Sequence, residues 1–474
     1  MVYNAIIERN YENDKHTITY NGTESDLWKQ IAMLVKDSHI PNSMVVDSAH
    51  GFANINVKQR GTYVENGVKY PSMFVTVKNN IDLPPSSYEK AYLTCIHPES
   101  NNYKAYILRP EGSDIWADYG SIDEVHNGNA RTVQTPYPSY MYWIRYYEKL
   151  SKGYKDQSDV FFDTPVTKVE VKKASPTGLY AKLLKYAKKM VSDVLVSQTF
   201  TKKQIEKSWK LYKELQTKDT VEEFNKILCE LMQISPRKRN PLHDHVSRFL
   251  ANKTADFERI LDYEESLLNA MDSVSNHASE GKGAVSFEDF GISVVEATKK
   301  ELDFVMKQVN DELKSKVRKV WKVTPNAQKE AFDNYCKKRK IKNIKYFWHG
   351  SRNENWESII RQGLLLNPNA VITGKMFGNG IYFAPSARKS YGYTSCSGSY
   401  WARGNDNTGF MGLYATAYGN PYYPRTSGNM KPYMESEKKD CVHARKADVG
   451  LYNDEVIFYN EKAMCLEYFV EFSA

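Results

Sequence analysis

Between Tyr346 and Tyr393 the chain reads Y-F-W-H-G-S-R, then T-G-K-M-F-G-N-G-I-Y-F-A, then R-K-S-Y-G-Y. No other stretch limits its folding as strongly. The first piece predicts a short buried strand ending in His349-Gly350-Ser351. The second places Gly374, Gly378 and Gly380 within seven residues and runs into an apolar strand, Ile381-Tyr382-Phe383-Ala384. Glycine-dense backbone between strands lets a chain approach a ligand closely and take dihedrals that other residues resist. The third sets Ser390 and Tyr393 one helical turn apart, so a hydroxyl and an aromatic ring are expected on one face. A histidine, a glycine hinge, a hydroxyl and two tyrosines suit a flat, amide-bearing heterocycle. Taken singly, each residue is equally at home as a strand-capping histidine or a core tyrosine.

The 474 residues predict about three or four domains. A hydrophobic content of 41% supports packed cores, and the net charge of +8 permits nucleic-acid contact. Much of that excess is lysine on predicted helices, where solvated faces account for it. Six cysteines stand far apart with no C-x-x-C, and His243-Asp244-His245 has no cysteine close by. This pattern argues for a reducing compartment and against a zinc site or disulfide framework. No stretch has the apolar length of a signal peptide or a membrane span, so an intracellular, soluble protein with no membrane partner is expected.

In chain order, residues 1–82 predict a small α/β module. Its signals are a hairpin from Ala5-Ile6-Ile7 and His16–Tyr20, a short helix through Leu27, Ile31 and Val35, and strands at Val45-Val46 and Met73–Val77. After Leu83-Pro84-Pro85, residues 86–165 predict a hairpin from Ala91–Cys95 and Tyr103–Leu108. The segment Ile115–Ile122, I-W-A-D-Y-G-S-I, an aromatic helix over Tyr140–Tyr154 and a closing Val160-Phe161-Phe162 follow. Residues 175–278 turn helical, with stripes from Leu179 to Leu195, Ile205 to Leu215 and Phe224 to Leu231, then a last helix pair carrying Val246 to Leu268. Pro236–Asn240, P-R-K-R-N, is a break that reads as a basic localisation signal or a solvated loop. Asn276–Gly283 is expected as a linker. Residues 283–474 predict a strand at Gly291–Val295, a helix over Lys299–Leu313, a strand at Val317–Val323, and strands near Leu413–Tyr418, Val456–Tyr459 and Leu466–Phe472. The whole reads as a multidomain α+β chain with a mixed sheet in its last part.

W-H-G-S-R (348–352), T-G-K-M-F-G-N-G-I-Y-F-A (373–384), K-S-x-x-Y (389–393) and N-D-E-V-I-F-Y (453–459) resemble, in order and spacing, the catalytic domain of the poly(ADP-ribose) polymerases. These belong to the diphtheria-toxin-like ADP-ribosyltransferases. The resemblance implies that His349, Tyr382 and Glu455 form the family's His-Tyr-Glu triad. It implies that Gly350, Ser351, Lys389, Ser390 and Tyr393 bind NAD+ as substrate, with no tightly bound cofactor and no metal. The order of elements over 86–165 resembles a WGR domain, with Tyr119-Gly120-Ser121 at the signature triplet. Tyr119 and Gly120 are thereby candidate DNA contacts, although Ser121 lacks the charge of the family's arginine. Helices over 175–278 resemble the helical regulatory domain of DNA-activated members, Thr201-Lys202-Lys203-Gln204-Ile205 matching one helix start.

The implied activity is transfer of ADP-ribose to protein side chains, the protein itself included, with polymer elongation favoured by a glutamate at 455. DNA strand breaks are an implied partner, and a nuclear location is implied for a eukaryotic source or a nuclear-acting virus, a cytoplasmic one otherwise. One departure stands out: Leu365 follows Gly363-Leu364 where family members frequently carry a basic residue. Two other readings are weighed. Glu435-Ser436-Glu437 matches the Glu-x-Glu of arginine-specific transferases, but it lies in a predicted polar loop and no Ser-Thr-Ser strand accompanies it. The alternative is a DNA-binding or scaffold protein with weak or mono-ADP-ribosylating activity.

Overall fold

A computed structural model describes residues 89–112, 114–138, 141–162, 176–239, 245–279, 286–366, 376–397 and 406–474, together with seven strands between Val2 and Asn79. The chain divides into two compact units, one of residues 1–163 with 239–248, the other of 164–238 with 249–474.

In the first unit, β1 (Val2–Arg9) and β2 (Asp14–Asn21) form the predicted hairpin. They extend through β7 (Met73–Asn79) to β4 (Asn54–Gln59) and β3 (Met44–His50), while β5 (Tyr63–Glu65) pairs with β6 (Val68–Tyr70). The helix expected through Leu27, Ile31 and Val35 lies outside the described residues. A second sheet is built on the antiparallel run β8 (Ala91–His97), β9 (Asn102–Glu111) and β10 (Asp114–Ser121). Short pieces β11 (Arg131–Thr132), β12 (Tyr137–Pro138) and β13 (Lys155–Asp156) pair at its edges. The aromatic helix spans Tyr142–Ser151, and Val160 of the closing segment lies in a helical turn, Ser158–Phe161.

The second unit joins helices to two sheets. Helices Gly178–Val194, Lys202–Leu215 and Val221–Ile234 bury the predicted stripes. Thr201 starts the second of these: its hydroxyl accepts from Gln204 N at 3.0 Å, and the Gln204 side chain returns a bond to the Thr201 backbone, closing a capping box. The expected last helix pair is instead one 23-residue helix here, Phe257–Ser279, and a 3-10 turn, Val246–Phe249, whose residues 246–248 are counted with the first unit. This long helix continues into the segment expected as a linker. In the P-R-K-R-N break, Arg237 is buried while Lys238 is exposed. Arg237 is 1% exposed and binds the buried Glu264 carboxylate and the Ser235 carbonyl.

The larger sheet runs β14 (Ile292–Glu296), β15 (Val317–Pro325), β22 (Met464–Ser473), β18 (Thr408–Thr416), β16 (Lys345–Ser351). The smaller runs β17 (Ile381–Phe383), β21 (Glu455–Phe458), β20 (Cys441–Ala444), β19 (Pro421–Tyr422). Only β19 and β20 pair in parallel within it, so the sheet is mixed. Trp348 and Ala384 exchange backbone hydrogen bonds of 2.9 Å and stitch the two sheets together. The helix expected over Lys299–Leu313 breaks after Gln308 and resumes at Asp311. At the break the Gln308 carbonyl accepts the Trp348 indole N–H, and Asn310 Oδ1 accepts from Arg388 N and Ser386 Oγ. Glu435-Ser436 sits in a helical turn, Lys431–Ser436, not in a loop.

Candidate active site

The stitch between the sheets is where the motif residues meet. β16 ends in His349-Gly350-Ser351, and in register His349 lies opposite Gly412 of β18. His349 Nδ1 lies 3.1 Å from the Tyr382 carbonyl, which can only accept, so Nδ1 carries the proton and Nε2 is left as the acceptor. Trp356, Phe383 and Tyr414 surround the ring edge-on at 5.7–6.2 Å. Burial in this aromatic box pushes the imidazole pKa down to about 4, the Tyr382 carbonyl opposing weakly. At neutral pH the ring is uncharged.

Gly350 is where β16 touches the helical turn Ala387–Tyr391, since a Cβ at 350 would overlap the Ser390 carbonyl oxygen. No other residue fits. Ser390 is buried, and its hydroxyl donates to the Trp348 carbonyl at 3.0 Å, which leaves its oxygen able to accept. The helical turn ends at Tyr391, so Ser390 and Tyr393 do not share a helix face as expected. Tyr393 follows in a turn closed by its N–H on the Ser390 carbonyl, and its ring is 52% exposed. Ser351 Oγ accepts from Asn355 Nδ2 at 3.0 Å.

Tyr382 lies in β17 opposite Ile457 of β21. Its hydroxyl donates to the Gly378 carbonyl and accepts from Phe377 N, both at 2.9 Å. The phenol therefore pins the glycine loop, where Gly378 has φ of +92°. Burial, with a contribution from Glu455, pushes its pKa up. Glu455 opens β21 and forms an ion pair with Lys389, both side chains about one-sixth exposed. The Tyr393 phenol is also raised, first by burial, then by the charges of Glu455 and of Glu258 and Asp262 on the long helix. Residues from four separate segments thus converge around one side of the sheet junction. Residues 373–375 of the glycine motif lie outside the described residues, and Leu365 is 56% exposed.

The motif reading missed the groups that hold the long helix against this site. Asn355 Nδ2 also donates to Ser266 Oγ of that helix at 3.2 Å. Six residues further along that helix, Asp272 binds Arg361 and Gln362 of the helix Trp356–Gln362, which follows the His349 strand after a short 3-10 turn. Fully buried Glu357 bonds Arg361 at 3.2 Å. Nothing in local spacing marks these partners, which lie about ninety residues apart in the chain.

In the first unit, Tyr119 is 39% exposed on β10, opposite Arg131 of β11 and Tyr106 of β9. Ser121 is the N-cap of the helix Ile122–His126: its hydroxyl accepts from Glu124 N, and its own N–H donates to the Glu124 carboxylate at 2.8 Å. A carboxylate therefore stands beside Gly120, and the next one, Asp118, is paired with Arg109 at 2.9 Å. Among the described residues no group of three or more His, Cys, Asp or Glu could hold a metal ion, and no helix is long and apolar enough to cross a membrane. His243 and Asp244 lie outside the described residues.

Residues 296–474 match the family model of the poly(ADP-ribose) polymerase catalytic domain. Human poly(ADP-ribose) polymerase 2 is 39% identical over 101 residues, 21% of this chain and 15% of that protein. Poly(ADP-ribose) polymerase 1 of Danio rerio is 25% identical over 238 residues, 46% of this chain and 22% of that protein. A poly(ADP-ribose) polymerase-like protein of Invertebrate iridescent virus 6 is 27% identical over 178 residues, 36% of this chain and 92% of that protein. The chain thus spans less than a quarter of the length of the two vertebrate relatives.

Proposed function

We infer that this chain, whose residues 296–474 belong to the poly(ADP-ribose) polymerase catalytic-domain family, transfers ADP-ribose from NAD+ to protein side chains, itself included. The observation that carries the reading is the meeting of an uncharged His349, an ion-paired Glu455 and the Gly350–Ser390 contact at one sheet junction.

Breaking the nicotinamide–ribose bond passes through an oxocarbenium-like state, as glycoside hydrolysis does. The leaving nicotinamide is neutral, so no general acid is required. Gly350, with no side chain, leaves its backbone open to the carboxamide, and Ser390 Oγ keeps lone pairs for the carboxamide N–H. His349 Nε2 accepts from a ribose hydroxyl. The Tyr393 and Tyr382 rings flank the nicotinamide. The Glu455 carboxylate opposes the developing positive charge and orients the acceptor hydroxyl, while its ion pair with Lys389 holds it in place. A carboxylate here favours elongation of ADP-ribose chains over single transfer.

The long helix, with Glu258, Asp262 and Ser266 against the site, acts as a regulatory element over the NAD+ pocket. Residues 86–165 are the WGR-like candidate for sensing DNA breaks. In that role Tyr119 stacks at a strand end, and Ser121, committed to its helix cap, contributes no phosphate contact. An intracellular location, nuclear in a eukaryotic source, belongs to the same reading. Incubation with labelled NAD+, with and without broken DNA, tests it. Label on the protein is expected in both, and more with DNA at low salt. No label on the protein or on a supplied acceptor overturns the transferase reading, and no response to DNA overturns the sensor alone.

A further inference from the structure

On the far side of β21 from Lys389 lies a hydrogen-bonded chain that the proposed chemistry does not use. Asp454, immediately before Glu455, is clamped at both oxygens. Its Oδ1 accepts the Lys446 N–H at 2.9 Å, and its Oδ2 lies 3.2 Å from His443 Nε2. His443 is on β20, where its neighbour Ala444 pairs in register with Glu455. The clamp therefore closes the base of the β20–β21 connection at the residue that precedes the carboxylate. His443 Nδ1 is 2.7 Å from the Tyr418 hydroxyl, which is 3.3 Å from that of Tyr423. The Tyr418 ring in turn packs against Phe347 of β16 at 5.7 Å. The chain thus ties the strand that carries Glu455 to the strand that carries His349.

Proton bookkeeping gives this chain one direction. A carboxylate only accepts, so His443 Nε2 carries the proton and Nδ1 accepts from Tyr418, which accepts from Tyr423. Every member is satisfied by a neutral ring. A protonated ring would turn Nδ1 into a donor facing the Tyr418 donor. The groups around the ring agree with that state: burial, Lys345 and Arg445 lower the imidazole pKa, and Asp454 raises it, with burial the largest. Lys345 sits 4.0 Å over the Tyr418 ring and Arg445 4.4 Å over that of Tyr423.

We propose that His443 is a positioning residue for Glu455, holding through Asp454 the backbone from which that carboxylate reaches Lys389, with Tyr418 selecting the tautomer. The proposal rests on the reading of Glu455 as the group that faces the reacting ribose.

His443→Leu removes the donor to Asp454, whereas His443→Gln keeps an N–H near the Nε2 position. Because small misplacements of a reacting group are costly, His443→Leu should lower kcat by about tenfold or more, with KM for NAD+ within about twofold of wild type. His443→Gln should recover most of the loss. A His443→Leu protein within twofold of wild type, a Gln variant as poor as Leu, or a KM that rises in step with the fall in kcat overturns the proposal. If His443→Leu fails to fold, Asp454→Asn, which keeps an acceptor for Lys446 N–H, carries the same expectation. A crystal structure of the variant decides independently of turnover: Glu455 displaced from Lys389 supports the role, and an unmoved pair overturns it. A wild-type protein that cleaves no NAD+ sinks the transferase reading alone, and the crystal structure then judges the positioning.

Discussion

The segments around Gly350 and Gly120 are built alike, each a strand ending in a short motif and followed by a helical turn, yet they are held in different ways. Gly350 is packed against the Ser390 carbonyl, forty residues on, and its neighbour His349 is bonded to Tyr382 and boxed by Trp356, Phe383 and Tyr414. A Cβ at 120 would meet the Glu124 carboxylate at 3.0 Å, the Glu124 Cβ at 3.5 Å and Val125 at 3.8 Å, and Ser121 is satisfied within its own helix turn. The first motif is over-determined by distant partners, the second by its immediate neighbours. A site that must hold reacting groups to fractions of an ångström needs the first kind of support. A stacking surface does not.

The largest test of this contrast is Glu455→Gln. The amide keeps the shape but gives up the charge, so turnover should fall by about 10²–10³-fold and polymer elongation should vanish, with NAD+ binding retained. An unchanged ladder of labelled polymer would remove Glu455 from the chemistry.

Next come the two glycines, compared directly. Gly350→Ala forces β16 away from Ser390 and should cost roughly 1–3 kcal/mol in denaturant unfolding together with loss of NAD+ binding. Gly120→Ala should cost less, no more than about 1 kcal/mol, since the Glu124 side chain can yield at the expense of its bond to the Ser121 N–H. Equal costs at the two positions would erase the distinction.

Ser390→Ala should weaken benzamide inhibition by roughly 1–3 kcal/mol, because a buried carboxamide loses its hydroxyl partner. Equal inhibition of both proteins would place Ser390 outside the pocket.

His349 tests the same contrast through pH. Its pKa falls from an ordinary 6.5 to about 4 on folding. Below 6.5 the unfolded chain takes up a proton that the native ring refuses, so native stability declines as pH falls, and the decline ends once pH passes below about 4. Measured against His349→Gln, the wild type should lose melting temperature across that window while ligand binding persists to about pH 5. A flat difference would show that the ring is not shielded.

The last test is at the exposed motif. Tyr119→Ala should raise the DNA concentration for half-activation, as stacking contacts are worth roughly 1–3 kcal/mol, and leave maximal turnover intact. Activity indifferent to nicked or blunt DNA at low salt would leave the motif without that role.

By itself the sequence determined which segments become strands and helices and where several begin. Thr201 with Gln204, and Thr298 with Glu301, cap helices through contacts three residues long, and such short-range chemistry is visible in spacing. It also determined the glycine-rich stretch between two buried strands. Only the tertiary structure decided that Arg237 is buried on Glu264, that the helix after Phe257 runs to Ser279, and that Asn310 breaks its helix to serve Arg388 and Ser386. It alone decided that the Tyr382 hydroxyl is spent on the glycine loop, that Ser390 and Tyr393 part company, and that Asn355 and Arg361 face the long helix. The physical reason is range. Propensity and periodicity report neighbours within about one helical turn or one strand pair. The partners that close this site lie from about thirty to about ninety residues away in the chain, where only packing brings them together.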